Sequence, residues 1–375
     1  MKTIAVIFGG KSVEHDISII TGLQIIKNLS DKIMTIPIYI SREGNWFTGE
    51  KLKDINFFVN FSEKGLHKCF FTPNSSFLNI TKKFKTKKQK IDNAMLALHG
   101  ANGEDGSIQG LLELAGIPYT SSGILGCGLC LDKVLTKMIL KENNIKTPNF
   151  CYFYADEFEE NQKEILKKIK SLKSSVVIKP ARAGSSIGIT KCKTEKEITE
   201  AINLAKCFDN KIIVEQAIEN FREVNIACLG LENEIKTSVI EEVEGAEILS
   251  FDQKYINSQQ VKRVIDIKLD ENIETELKDI AKRVFKIFEC SGVVRFDFFI
   301  TEQKEVMLNE INSIPGSLAN YLFKDLTFSQ MLNSLIKISE QKKQTKDNLT
   351  YLYSSKALLN FSKFESKLTK WVFII

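Results

Sequence analysis

Two runs in the last third of the chain carry the most information: Val293-Val294-Arg295-Phe296-Asp297-Phe298-Phe299 and, a few residues on, Glu305-Val306-Met307-Leu308-Asn309-Glu310-Ile311-Asn312. The first mixes β-branched and aromatic residues with charges at alternate positions, and the second is an apolar run ending with polar Glu310 and Asn312 at alternate positions, the pattern of half-buried strands. Successive strand side chains point to opposite faces, so Arg295 and Asp297 share one face, and Glu310 and Asn312 share one face of the next strand. Pairing the strands gathers two carboxylates and an amide oxygen beside a permanent cation. Asp297, Glu310 and Asn312 are hard oxygen donors suited to Mg²⁺ bridging nucleotide phosphates. An exposed sheet face with mutually paired charges would show the same pattern.

Upstream lies Val177-Ile178-Lys179-Pro180-Ala181-Arg182-Ala183-Gly184-Ser185-Ser186-Ile187-Gly188. A lysine closing a strand before a loop of small residues lets backbone N–H groups approach phosphates while the ammonium neutralises them. Lys133, the strand Ile213-Val214-Glu215-Gln216-Ala217 and the downstream Glu223 add groups for phosphate, adenine edge and ribose. Toward the N-terminus, apolar runs alternate with amphipathic stretches: Ile4 to Phe8 then Ile17 to Leu29, and Ala94 to Leu98 then Ile108 to Ala115. That alternation predicts an α/β fold with a parallel or mixed sheet. Further helices are expected over Leu129 to Asn143, Glu195 to Lys206 and Glu274 to Phe288, with strands over Val224 to Leu229 and Glu234 to Glu242.

A length of 375 residues suggests two to three domains. No apolar run reaches the roughly 20 residues of a membrane span, and Met1 to Gly10 is too short and too glycine-punctuated for a secretory signal. A cytoplasmic protein is expected, its eight cysteines reduced. Cys127 and Cys130 form one Cys-x-x-Cys, which without a second pair or spaced histidines reads as helix packing rather than zinc. The net charge of +5 is local: removing Lys82, Lys83, Lys85, Lys87, Lys88 and Lys90 takes it to −1. With one aromatic, Phe84, and no groove-reading motif, this run is expected to be a solvated loop, not a nucleic-acid site.

Together the segments resemble the ATP-grasp fold and, within it, the D-alanine–D-alanine ligase family. The resemblance rests on five ordered signatures spanning residues 3 to 336: Phe8-Gly9-Gly10-Lys11-Ser12-Val13-Glu14-His15-Asp16-Ile17-Ser18; Leu98-His99-Gly100-Ala101-Asn102-Gly103-Glu104-Asp105-Gly106-Ser107-Ile108-Gln109-Gly110; Leu131-Asp132-Lys133; the Lys179 loop; and Asn309-Glu310-Ile311-Asn312-Ser313-Ile314-Pro315-Gly316. It implies an N-terminal Rossmann-like α/β substrate domain (1–121), a central ATP-grasp subdomain (122–214), a C-terminal catalytic domain (215–340), and a linker and tail (341–375).

The implied reaction joins two D-alanines: ATP phosphorylates the first carboxylate to an acyl phosphate, the second amine attacks, and phosphate leaves. By this resemblance Glu14, Ser185, Tyr255, Arg295 and Gly316 are catalytic. Glu14 holds the first ammonium, Ser185 and Tyr255 close a loop over it, and Arg295 and the Gly316 N–H stabilise oxyanions. ATP falls to Lys133, Lys179, Glu215, Gln216, Ala217, Ile218, Glu223, Lys254 and Asn309. Two Mg²⁺ (or Mn²⁺) ions fall to Asp297, Glu310 and Asn312, and substrate contacts to His99, Tyr321 and Leu322. A homodimer is the family expectation, with no nucleic acid and no membrane insertion.

The sequence departs from the family after Pro315-Gly316. There Ser317-Leu318-Ala319-Asn320-Tyr321-Leu322 replaces a run of Thr, Ser, His and Ser, and Tyr321 stands where a serine grips the second substrate's carboxylate. An acceptor such as D-serine or another amino acid is therefore the alternative. The loop before Lys254-Tyr255, Ser250-Phe251-Asp252-Gln253, also carries less aromatic character. Ala5 to Ser12 fits a relaxed P-loop pattern, but Ala5 to Phe8 is expected to be strand and leaves only two glycines to wrap phosphates.

Overall fold

The computed structural model describes residues 1–83, 85–172, 175–244 and 262–351. Three sheets organise residues 1–340, which form one compact unit. The first contains β1 (Thr3–Gly9), β2 (Met34–Ile40), β3 (Trp46–Thr48), β4 (His67–Thr72), β5 (Ser75–Lys82), β6 (Lys85–Lys90) and β7 (Asn93–Leu96). Its order is β6-β5-β4-β3-β2-β1-β7, with β1 parallel to both neighbours, so it is mixed. Every residue of β1 is buried, and the helix His15–Asn28 crosses from it to β2. The lysine-rich run is not a loop: β5 and β6 form a hairpin. β6 is the sheet's edge and almost wholly exposed, where lysines resist pairing with another chain.

The second sheet, in order β10-β9-β11-β8, contains β8 (Phe150–Tyr154), β9 (Val176–Pro180), β10 (Thr190–Cys192) and β11 (Lys211–Gln216). The third contains β12 (Phe221–Leu231), β13 (Glu234–Thr237), β14 (Glu241–Glu244), β15 (Lys262–Ile265), β16 (Ser291–Thr301) and β17 (Val306–Asn312). It runs β15-β14-β12-β16-β17, with β13 also paired to β12. The single strand expected over Glu234 to Glu242 is thus split into β13 and β14.

Alternation gives the third sheet two unlike faces. Val224, Ile226, Cys228, Val294, Phe296 and Phe298 are buried beneath the helix Glu271–Ile287, which buries Leu277, Ile280, Ala281, Val284 and Phe285. Those five follow i, i+3, i+4, i+7, i+8, and Asp270 caps the helix by accepting from the Asn272 N–H. Each buried Phe or Leu side chain there stabilises by about 1.5–3 kcal/mol. The other face carries Asn225, Arg295, Asp297, Glu310 and Asn312.

Where one helix was expected over Leu129 to Asn143 there are two, Ile124–Leu131 and Lys133–Glu142. Asp132 breaks them in extended conformation and caps the second, accepting from Val134 and Leu135 N–H. Cys127 and Cys130 are buried in the first of the two. Residues 341–347, expected to be linker, belong to the helix Phe328–Asp347: the run is polar but contains no helix breaker.

Candidate active site

Asp297 and Glu310 are register partners on β16 and β17, as are Arg295 and Asn312. Between the two pairs and the rest of the ladder the register slips by one residue, leaving Asn309 without a partner residue on β16. Arg295 Nε and Nη2 grip the two oxygens of Asp297 at 2.7 and 2.8 Å, and Asn312 Nδ2 donates to Asp297 Oδ2 at 3.0 Å. Burial opposes the Arg295 charge, but Asp297 outweighs it and raises the guanidinium well above its usual range. Lys133 Nζ lies 3.0 Å from Glu310 Oε1 and donates to the Ala183 carbonyl at 2.7 Å. Burial likewise opposes the Lys133 charge, yet Glu310 holds its pKa above normal.

Lys133 is aimed by its surroundings. Its N–H donates to the Ala181 carbonyl at 3.0 Å, and its helix cap, Asp132, is held by Lys211 Nζ at 2.9 Å. One turn on, Lys137 is fully buried, 3.2 Å from Glu215 Oε1 and donating to Thr147 Oγ1 at 2.8 Å. Lys179 Nζ takes the other Glu215 oxygen at 2.8 Å. Burial acts against the Glu215 charge, but the two lysines overcome it and lower its pKa. Burial brings Lys137 down to about 8. Nothing in the sequence marks Lys137 as buried, because a lysine on an amphipathic helix is normally solvated.

At the end of β11 the Ala217 N–H is engaged by the Ser175 carbonyl, and Asn149 donates to Gln216 Oε1 at 3.0 Å. Ile218 is half-buried and Glu223 lies on β12. Asn309 Oδ1 is buried without a hydrogen-bond partner among the described residues.

On the first sheet, Glu14 is buried at the end of the loop after β1, and Ser185 Oγ donates to its Oε1. Glycines wrap this carboxylate. A Cβ on Gly184 would come within 2.6 Å of Glu14 Oε2, and one on Gly100, whose φ is +69°, within 2.8 Å. Ser185 and Ser186 sit at φ 54° and 59°, a left-handed strain of the kind that concentrates at functional loops. Glu104, quoted in the second signature but given no role, accepts from the N–H groups of Gly100 (2.8 Å) and Ile314 (2.9 Å). Burial, with the Glu14 charge adding to it, pushes Glu104 up to about 7.

His99 has both ring nitrogens engaged within the protein, Nδ1 with the Ile314 carbonyl at 2.7 Å and Nε2 with Thr21 Oγ1 at 2.9 Å. Thr21 Oγ1 also accepts from the Ser317 N–H at 3.1 Å. These bonds bracket Gly316, where an added Cβ would meet open space. Beyond it Ser317, Leu318 and Ala319 form a left-handed turn at φ 51°, 51° and 47°. The Tyr321 hydroxyl donates to Glu241 Oε1 at 3.0 Å, and Leu322 is buried with its carbonyl accepting from Val239 N–H. Lys254, Tyr255 and the loop Ser250 to Gln253 lie outside the described residues.

The P-loop reading fails on geometry. β1 runs to Gly9, the Gly9 N–H is taken by Ser18 Oγ and the Gly10 N–H by the Ile40 carbonyl, and Lys11 is exposed. A divalent cation fits the Asp297–Glu310–Asn312 set by donor chemistry: two carboxylates on adjacent strands plus an amide, each carboxylate now neutralised by a side-chain cation. No group of three or more His, Cys, Asp or Glu side chains suited to a metal occurs among the described residues. An ion here would therefore need Asn312 and phosphate oxygens to complete its shell. No helix among the described residues is long and apolar enough to cross a membrane.

Residues 3–122 match the D-ala D-ala ligase N-terminus family and residues 139–337 the D-ala D-ala ligase C-terminus family. The D-alanine–D-alanine ligase of Thermosipho melanesiensis is 40% identical, covering 91% of this chain and 94% of its own length. That of Caldicellulosiruptor bescii is 36% identical, covering 93% and 98%. Among solved structures, the D-alanine-D-alanine ligase from Coxiella burnetii superposes with a TM-score of 0.78 at 25% identity, over 98% of this chain and 99% of its own. The VanG D-Ala:D-Ser ligase from Enterococcus faecalis does so with a TM-score of 0.78 at 32% identity, over 90% and 99%. With both of its halves matched and relatives aligned along nearly its whole length, the chain belongs to the D-alanine–D-alanine ligase family.

Proposed function

We propose that the chain ligates two D-alanines to D-alanyl-D-alanine, converting ATP to ADP and phosphate through a D-alanyl phosphate, for peptidoglycan precursor synthesis in the cytoplasm. The observation that carries it is the convergence of Asp297, Glu310 and Asn312 with Lys133 in a member of an ATP-dependent ligase family. Two Mg²⁺ ions, when bound, would spread the charge of the transferring phosphoryl group over hard oxygen ligands. Asn312, whose amide nitrogen already donates to Asp297, would offer its oxygen. Lys133 and Lys179 would neutralise the phosphates, and the Gln216 carbonyl and Ile218 N–H would read the adenine edge, since the N–H groups of Gln216 and Ala217 are both engaged.

Glu14, oriented by Ser185, would hold the first substrate's ammonium. Its tight glycine collar favours one small α-amino acid. Arg295 and the Gly316 N–H would stabilise the oxyanion as the second amine attacks. The three sheets would serve as the bodies 1–121, 122–214 and 215–340, moving relative to one another as substrates enter, and the enzyme would work as a homodimer. The test is phosphate release by the purified protein with Mg²⁺, ATP and D-alanine, alone and with D-serine, D-lactate or L-amino acids, products identified by mass. D-alanyl-D-alanine from D-alanine alone supports the assignment. Turnover only with another acceptor moves it to a mixed-dipeptide ligase.

A further inference from the structure

Across the third sheet one row of register partners runs Glu241, Asn225, Asp297, Glu310. The first two, with Arg263 and Tyr321, form a polar cluster beside the phosphate-facing groups, of which only Tyr321 has a role above. Glu241 is completely buried, and its Oε1 accepts three donors: Asn225 Nδ2 at 2.9 Å, Arg263 Nη1 at 3.0 Å and the Tyr321 hydroxyl at 3.0 Å. Arg263 Nη1 also reaches the Tyr321 oxygen at 3.4 Å. Among the described residues Glu241 Oε2 and Asn225 Oδ1 are buried without partners, an arrangement retained at the expense of two unsatisfied acceptors.

We propose that Arg263 is the anchor for the carboxylate of the second, accepting amino acid, with Tyr321 beside it and Glu241 holding both. The inference rests on the ligase reading and supplies what the loss of serine at position 321 leaves open. Arg263 is suited to the task by what it has left over. A guanidinium has five donors. Among the described residues only Nη1 is engaged, while the side chain remains 42% exposed. Arg295, the neighbouring guanidinium, already has Nε and Nη2 committed to Asp297. Glu241 itself is too deeply buried to meet a ligand, so it orients the arginine and the phenol. Two inter-strand steps separate Glu241 from Asp297, roughly 10 Å, which leaves room for the acyl carbon and the acceptor's α-carbon between metal and anchor. A planar fork matches a carboxylate bidentately, and a molecule without one gains nothing from it.

That difference supplies the test. Hydroxylamine can replace the acceptor: its nitrogen bonds to the acyl carbon of the D-alanyl phosphate, phosphate departs with the C–O electron pair and the nitrogen gives up one proton to solvent, so the hydroxamate forms without any acceptor carboxylate. Dipeptide and hydroxamate formation are measured for wild type, Arg263→Ala and Arg263→Lys, with thermal unfolding as a folding control. Arg263→Ala should lower dipeptide formation at subsaturating D-alanine roughly ten- to a hundredfold, by raising the acceptor KM, while hydroxamate formation stays within about twofold. Arg263→Lys should recover part of the loss. Parallel loss of both products, or loss of neither, overturns the anchor while leaving the ligase reading intact. A wild-type protein that turns over D-alanine with neither acceptor overturns both.

Discussion

At His99 the proton positions follow from the partners. A carbonyl can only accept, so Nδ1 carries the hydrogen toward Ile314; Nε2 of the neutral ring then accepts from the Thr21 hydroxyl, whose oxygen accepts from Ser317. One uncharged tautomer thus ties down both sides of the Gly316 turn. Burial, against the Ile314 bond and with Arg295 adding to it, lowers the ring's pKa to about 4. Below the ordinary histidine value near 6.5 the unfolded chain takes up a proton that the folded ring refuses. Stability from this group is therefore lost as pH falls from about 6.5 to 4, by about 3 kcal/mol in all. Glu104 works in the opposite sense, its raised pKa of about 7 costing stability as pH rises through the range between the ordinary carboxylate value and neutrality. The two are separated by comparing urea unfolding at pH 7 and pH 4.5 in wild type and His99→Gln. The wild type should lose more stability on acidification than the variant, and equal losses would mean that His99 is not kept neutral.

At the scale of elements, the helix Lys133–Glu142 sets two lysines one turn apart on one side, where they meet carboxylates of two different sheets, Glu310 and Glu215. Replacing Lys137 by Met leaves Glu215 buried with Lys179 alone. Removing one partner of a buried ion pair costs about 3–5 kcal/mol, and the freed carboxylate should draw Lys179 away from phosphate and raise the ATP KM. A change below about 1 kcal/mol in urea unfolding would show that Glu215 does not depend on Lys137. The pair also shows where sequence reading stops. Arg295, Asp297, Glu310 and Asn312 were legible because a period of two places them on one face whatever the partner strand. Lys133 was found only because the Leu131-Asp132-Lys133 signature and a glycine loop accompany it. Lys137, Glu241 and Arg263 carry no local signal: their importance comes from the pairing of β12 with β14 and the packing of one helix between sheets, which are long-range facts. The slip at Asn309 and the left-handed turn over Ser317 to Ala319 are hidden for the same reason, since both are imposed by neighbours against local preference. In the lysine run, composition argued for solvent and was right about exposure, but edge strands are exposed too.

For the molecule as a whole, with the metal and phosphates held as proposed above, the distribution of charge would make metal and nucleotide binding interdependent. Asp297 is gripped at both oxygens by Arg295, and Glu310 is held by Lys133, whose ammonium also reaches the Ala183 carbonyl of the loop after β9. A divalent ion arriving alone must compete with both cations for its carboxylates and finds too few ligands to fill its shell. Phosphates arriving alone meet Lys133 and Lys179 already paired with Glu310 and Glu215. When both bind, the ion takes Asp297 and Glu310 and the phosphates take the released Lys133, so each removes the competitor of the other. The coupling should amount to about 1–3 kcal/mol, or roughly 5- to 150-fold in affinity, and must be the same measured from either side. In thermal unfolding, Mg²⁺ alone should scarcely move the transition, a non-hydrolysable ATP analogue alone should raise it modestly, and the two together should raise it by more than the sum. Lys133→Met should diminish that excess while leaving the fold intact, because it removes one of the exchanged partners. Additive shifts in the wild type would show that the side-chain cations do not stand in for the metal, and that the carboxylates are available to it from the start.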